Sequence, residues 1–194
     1  MSATPIPRTL NLSLSKVRDI SLITTPPIGR KSVKTIVSRY SKSLVYEAIQ
    51  REFYRDGQVF YLLNNVSALE DKRNEIYKRF PDKTIAFAHG QLKPKELAVI
   101  MQKFIEKKID LLVCTTIIES GIDIENANTL IVENSENYGL SQLHQIRGRV
   151  GRSKREAFAY FFLNKDKDLK NKALERINAL QENESLLSGF SLAM

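Results

Sequence analysis

Three arginines and two glycines fall within the eight residues Gln145 to Arg152, QIRGRVGR, and Ser153, Lys154 and Arg155 follow at once. A guanidinium group stays charged and forks onto two oxygens of a phosphate, whereas an ammonium acts as a point charge. Arg149 and Arg152 stand three residues apart, each preceded by a glycine, Gly148 and Gly151. Glycines at those places allow a turn after a helix that aims both arginines the same way. The chemistry this suggests is binding of phosphate, and the sequence must then say whose phosphate it is.

Two other loops carry polar groups suited to the same ligand class. HGQL, His89 to Leu92, follows an apolar strand-like run, and its Gly90 admits close approach of a ligand to the backbone while His89 and Gln91 can donate to phosphate. TTIIESGIDI, Thr115 to Ile124, follows another. Its Thr115 and Thr116 offer hydroxyls to a nucleic-acid backbone, and Gly121 and Asp123 bracket a turn whose carboxylate can accept from a ribose hydroxyl.

The elements that must position these loops alternate regularly. Apolar runs at 33–37, 58–63, 84–89, 110–116, 128–133 and 157–163 read as strands. Between them, 42–57, 67–80, 93–108 and 140–147 read as helices, with Gly57 and Pro81 as stops, and 167–184 reads as a last helix. Short apolar strands alternating with amphipathic helices predict an α/β fold, a mostly parallel sheet with helices on both faces. Ligand loops in such sheets gather at the carboxyl ends of the strands, which here follow Leu63, His89, Thr116 and Glu133.

Composition narrows the class. The chain has 194 residues, 42% of them hydrophobic, and a formal net charge of +8, which suits a polyanionic partner. One cysteine, Cys114, excludes an internal disulfide and a cysteine-built metal site, and two distant histidines give no metal-ligand spacing, so no metal ligands are expected. No apolar run has the ~18 residues a membrane span requires, and no signal pattern opens the chain, so a cytoplasmic location without membrane contact is expected. Four of the six prolines fall within the first thirty residues, which also hold the strand-like run ISLIT. A lone strand does not bury itself, and this arm reads as the end of a preceding unit.

QIRGRVGR resembles the sixth motif, QxxGRxGR, of superfamily-two helicases and translocases, TTIIESGIDI their fifth, and SATPIPRT, Ser2 to Thr9, their third. Within that superfamily the wording of SATPIPRTLNLSLSKVRDISLITTPP, HGQL, LLVCTTIIESGIDIENANTLIVE and GLSQLHQIRGRVGRS is nearest to the bacterial transcription-repair coupling factors. RecG-type branch-migration enzymes are the alternative. The resemblance implies a RecA-like (P-loop NTPase-type) three-layer sandwich, the second of two lobes that clamp ATP and Mg²⁺ between them. The first lobe would supply the Walker A loop, absent from this sequence, and this chain would be inactive alone. By the same resemblance Arg152 is the arginine finger, with Arg149 and Gln145 beside it. Gly121 and Asp123 face the nucleotide, and Thr115, Thr116, His89, Gly90 and Gln91 face the DNA backbone. Residues 1–32 would close the first lobe, 33–165 form the second, and 166–194 begin a translocation hairpin. The implied partners are double-stranded DNA and the first lobe, with RNA polymerase and an excision-repair protein engaged through other domains. A passive nucleic-acid-binding module is the competing class.

Overall fold

The computed structural model describes residues 32–115, 126–153 and 155–165, so the expectations for the proline-rich arm and for the final helix lie outside the described residues. Six strands form one sheet, β1 (Val33–Arg39), β2 (Gln58–Leu62), β3 (Ile85–Ala88), β4 (Leu111–Cys114), β5 (Ala127–Val132) and β6 (Ala157–Leu163). Their order is β1-β6-β5-β2-β4-β3, and every neighbouring pair is parallel. Among the described residues four helices connect them, α1 (Lys42–Tyr54), α2 (Leu69–Arg79), α3 (Pro94–Ile105) and α4 (Leu140–Arg147).

The inner strands are apolar along most of their length because both faces are covered, while the edge strand β1 carries exposed Lys34 and Arg39. Phe60, Leu62, Leu112, Cys114, Leu130, Val132, Ala159 and Phe161 pack on one face with Met101 and Phe104 of α3 and Leu143 and Ile146 of α4. The alternate residues Val59, Tyr61, Leu111, Val113, Ile131, Phe158, Tyr160 and Phe162 pack on the other with Val45, Ala48, Ile49 and Phe53 of α1 and Leu69 and Ile76 of α2. Successive side chains of a strand leave on opposite faces, so an unbroken apolar run is the pattern of a doubly covered sheet. Each large side chain withdrawn from water contributes about 1.5–3 kcal/mol before conformational entropy is subtracted. Cys114 belongs to this core, and burial pushes its thiol well above the usual range, which leaves it unreactive.

Helix ends depart from expectation in one instructive place. The spacing puts the stop of α1 at Gly57, yet the helix ends at Tyr54, and the left-handed residue is Asp56, with φ 54°. Gly57 answers a different need. A Cβ built there would lie 1.7 Å from Oε1 of Glu52, a fully buried carboxylate. The start of α2 also differs. Asn65 accepts from the Ser67 amide at 3.0 Å and caps a short 3-10 turn, so Asn65 rather than Ser67 opens the segment.

Candidate functional site

The groups singled out in the sequence divide between opposite edges of the sheet. At the carboxyl edge, the Thr115 amide donates to Ala88 O at 3.4 Å, which places Thr115 beside the loop that leaves β3. That loop turns through His89 to Leu92, closed by the Leu92 amide donating to His89 O at 3.1 Å. The His89 ring stacks on Phe87 at 6.4 Å, and its Nδ1 is buried without a hydrogen-bond partner among the described residues. Gly90 and Gln91 are exposed, and a Cβ at Gly90 would meet nothing within 4 Å. No packing among the described residues therefore demands glycine there. Thr115, His89, Gly90 and Gln91 thus come together, while Thr116 lies outside the described residues.

The same edge holds two polar residues that the sequence reading passed over. Leu63 donates from its amide to Cys114 O at 2.9 Å, so the exposed Asn64 and Asn65 that follow β2 adjoin Thr115. The strand-end rule pointed to this loop, and its paired asparagines were the available signal.

Further along, the edge is closed by the chain itself. Glu133 accepts from Tyr61 Oη and pairs with Lys72 at 2.9 Å, and Lys72 also reaches Glu75 at 3.0 Å and Tyr40 Oη at 3.2 Å. Burial works against the Glu75 charge, but hydrogen bonds from Lys42 and Lys72 overcome it and hold the carboxyl down at about 2. These charges are matched within the lobe. Among the described residues, the exposed polar groups of this edge, Asn64, Asn65, Gly90 and Gln91, follow β2 and β3.

The arginine segment lies at the other edge. It leaves the last turn of α4, where Gln145 is half-buried, and the Gly151 amide donates at 3.4 Å to Ala127 O, the first residue of β5. The six residues of β5 separate the two edges by roughly 17 Å at the usual rise per residue. The strand-end rule therefore describes the threonine and histidine loops but not the arginines.

Within that segment the three guanidinium groups have different surroundings. Arg147 is buried, donating to His144 Nδ1 at 3.2 Å and to Thr35 Oγ1 at 3.4 Å. Burial, reinforced by this neighbouring cation, pushes the His144 imidazole down to about 4, so at neutral pH the ring is uncharged and its Nδ1 accepts. Arg147 thereby ties the end of α4 to β1. Arg149 is half-buried and Arg152 exposed.

The two glycines of the motif also differ. Gly151 has φ 74°, and a Cβ there would lie 2.9 Å from both Ala157 Cβ and Val33 Cγ2. Gly148 is right-handed, φ −67°, and a Cβ there would keep ordinary distances of 3.4 and 3.5 Å to carbonyls of the preceding turn. The turn rests on Gly151 alone. Gly121 and Asp123 lie outside the described residues, as does Lys154.

Residues 41–154 match the model of the helicase conserved C-terminal domain. The chain belongs to that family. Its similarity to particular helicase-family proteins runs further. It is 49% identical over 193 residues to the transcription-repair-coupling factor of Buchnera aphidicola subsp. Baizongia pistaciae, covering all of this chain and 28% of that protein. It is 50% identical over 194 residues to the transcription-repair-coupling factor of Staphylococcus haemolyticus, covering all of this chain and 17% of that protein. The chain thus spans little more than a quarter of these relatives at most. Among solved structures, RecG bound to a three-way DNA junction matches with a TM-score of 0.83 at 36% identity, over all of this chain and 26% of that one. The L327V form of S. cerevisiae Dbp5, bound to RNA and ADP BeF3, matches with a TM-score of 0.62 at 16% identity over 93% of this chain and 47% of that one, which shows the shared fold. The helicase-family fold is RecA-like, as the sequence motifs implied. No helix among the described residues is long and apolar enough to cross a membrane.

Proposed function

We propose that this chain is the second motor lobe of an ATP-dependent double-stranded DNA translocase of the coupling-factor kind, one that displaces stalled RNA polymerase and links transcription to nucleotide excision repair. The observation that supports the reading is the separation of the arginine segment from the Thr115 and His89–Gln91 loops, which lie at opposite edges of one sheet. A lobe arranged in this way engages a nucleotide with one edge and a phosphate backbone with the other, so that closure on the first displaces the second.

ATP with Mg²⁺ sits mainly on the preceding lobe. The two arginines that follow α4, the half-buried Arg149 and the exposed Arg152, are of the type that forks onto a γ-phosphate. Arg152 reaches across the cleft and neutralises charge that develops on the transferred phosphoryl group, and Gln145 and Arg149 support it. Gly121 and Asp123 meet the ribose side. Thr115, Thr116, His89, Gly90 and Gln91, joined by Asn64, hold the DNA backbone. Binding of this kind reads no bases, so it is independent of sequence and weakens as salt rises. ATP binding closes the lobes, hydrolysis reopens them, and each cycle shifts one grip along the duplex. RNA polymerase and the excision-repair partner engage other domains of the parent protein, which works in the cytoplasm.

The similarity to RecG favours a second reading, a branch-migration motor. One experiment with the full-length protein separates the two. Release of RNA polymerase from a stalled transcription complex, dependent on ATP, is the expected result. Regression of a synthetic fork without polymerase release supports the RecG-like motor instead. DNA binding with neither activity leaves a passive module.

A further inference from the structure

Arg152 is an exposed residue with a long side chain, so its reach depends on what fixes the chain on either side of it. Gly151 fixes the near side, through its left-handed φ and its close packing on Val33 and Ala157. On the far side, Ser153 Oγ donates to Asn128 Oδ1 at 2.8 Å and accepts from the Arg155 amide at 3.2 Å. Asn128 is fully buried in β5, and its Nδ2 donates to Asn126 O at 3.1 Å. Asn126 in turn donates from Nδ2 to Asp56 O, just past the end of α1, at 3.1 Å.

A second pair of bonds closes the ring. Arg155 Nη1 donates to Arg55 O at 2.6 Å, and Arg55 Nη1 donates to Glu156 O at 2.7 Å. Arg55 is itself held by the buried Glu52 carboxylate, through Nε at 3.1 Å and through Nη2, and Thr129 Oγ1 donates to the same oxygen. Arg155, which reads in the sequence as a solvated surface charge, has a defined partner in this ring.

We infer that Arg55, Asn128, Ser153 and Arg155 form a bracket that positions Arg152, clamping the backbone that follows it to the end of α1 and the start of β5. The inference rests on Arg152 acting as the arginine finger. These are positioning residues: none is assigned to the nucleotide, and each acts through the place it gives the guanidinium. The bonds span up to about a hundred positions of sequence, so they serve no local secondary structure. A shift of about 1 Å at a catalytic group far from the altered residue can cost about a hundredfold in rate, which gives the bracket its leverage.

The test uses the protein with both motor lobes and measures DNA-stimulated ATP turnover at saturating DNA. Ser153→Ala is expected to lower kcat by roughly tenfold to a hundredfold with KM for ATP within about threefold, because the finger acts in the transition state. Ser153→Thr, which keeps a hydroxyl, is expected to recover most of the loss. Arg155→Ala, at an exposed position that does not threaten folding, is expected to lower kcat in the same direction with the unfolding temperature unchanged. Combined with Arg152→Ala, neither change lowers kcat further, because both act through that side chain. Losses that multiply with that of Arg152→Ala overturn the bracket. So does unchanged kcat in both Ser153→Ala and Arg155→Ala while Arg152→Ala is impaired. If Arg152→Ala itself turns over ATP normally, the finger reading fails, an outcome visible in that single variant and distinct from failure of the bracket alone.

Discussion

Replacing Arg152 by alanine in the two-lobe protein is expected to lower DNA-stimulated ATP turnover by roughly 10³-fold or more, the range typical of arginine fingers. Duplex affinity is expected to stay within about threefold, because the groups proposed to hold the phosphate backbone, Thr115 and His89 to Gln91, sit at the opposite edge of the sheet. The residue is exposed, so its removal leaves no buried cavity, and the unfolding temperature of the variant separates a fall in kcat from a loss of fold. Arg152→Lys is expected to recover little, since an ammonium has neither the fork nor the reach of a guanidinium. Steady-state turnover with and without duplex, alongside a filter or anisotropy measurement of DNA binding, separates the two edges. Equal losses of affinity and turnover would mean that Arg152 holds DNA.

Gly151→Ala is the second large effect, and it falls on stability. Holding a non-glycine residue in the left-handed region costs about 1–2 kcal/mol. The new Cβ would also lie 2.9 Å from Ala157 Cβ and from Val33 Cγ2, at the first residues of two adjacent strands, where backbone cannot yield easily. Overpacking of that kind adds about 1–3 kcal/mol. The sum, about 2–5 kcal/mol, is a large share of the 5–15 kcal/mol by which domains are typically stable. Gly148→Ala provides the contrast. Its backbone is right-handed and its Cβ would find ordinary contacts, so stability is expected to change by less than about 1 kcal/mol. Urea unfolding of both variants measures this. If Gly148→Ala abolishes ATP turnover in a stably folded protein, the demand for glycine at that place comes from outside the lobe, from the nucleotide or the partner lobe.

These two glycines show where sequence reasoning reached and where it stopped. Spacing made both look alike, and only the packing of β1 against β6 tells which one is conformationally required. The strands and helices themselves were legible, because a doubly covered strand must be apolar throughout and a covering helix must repeat every three to four residues. The fold class followed from that alternation. Strand order did not, since nothing in periodicity places β6 between β1 and β5. Without that order the arginine segment could not be assigned to the amino edge, nor Asn128 set beside Ser153. Glu52 was hidden for a related reason. It lies on the same stripe of α1 as Ala48 and Ile49, and a carboxylate there looks like an interruption until Arg55 and Thr129 are seen to bind it. Long-range polar pairing leaves no periodic trace. The loop motifs stood out by residue type, but type did not say which arginine is structural: Arg147 binds Thr35 and His144, and Arg155 binds the Arg55 carbonyl. The distribution of the loops over two edges had to come from topology.

The central claim is that this lobe completes a nucleotide site which another lobe begins. The most direct measurement is ATP turnover with saturating duplex DNA, made on this 194-residue chain and on the protein carrying both lobes, at equal concentrations. The account predicts DNA-stimulated turnover by the two-lobe protein and none above background from the chain alone. Turnover by the isolated chain at a rate comparable to that of the two-lobe protein would contradict it.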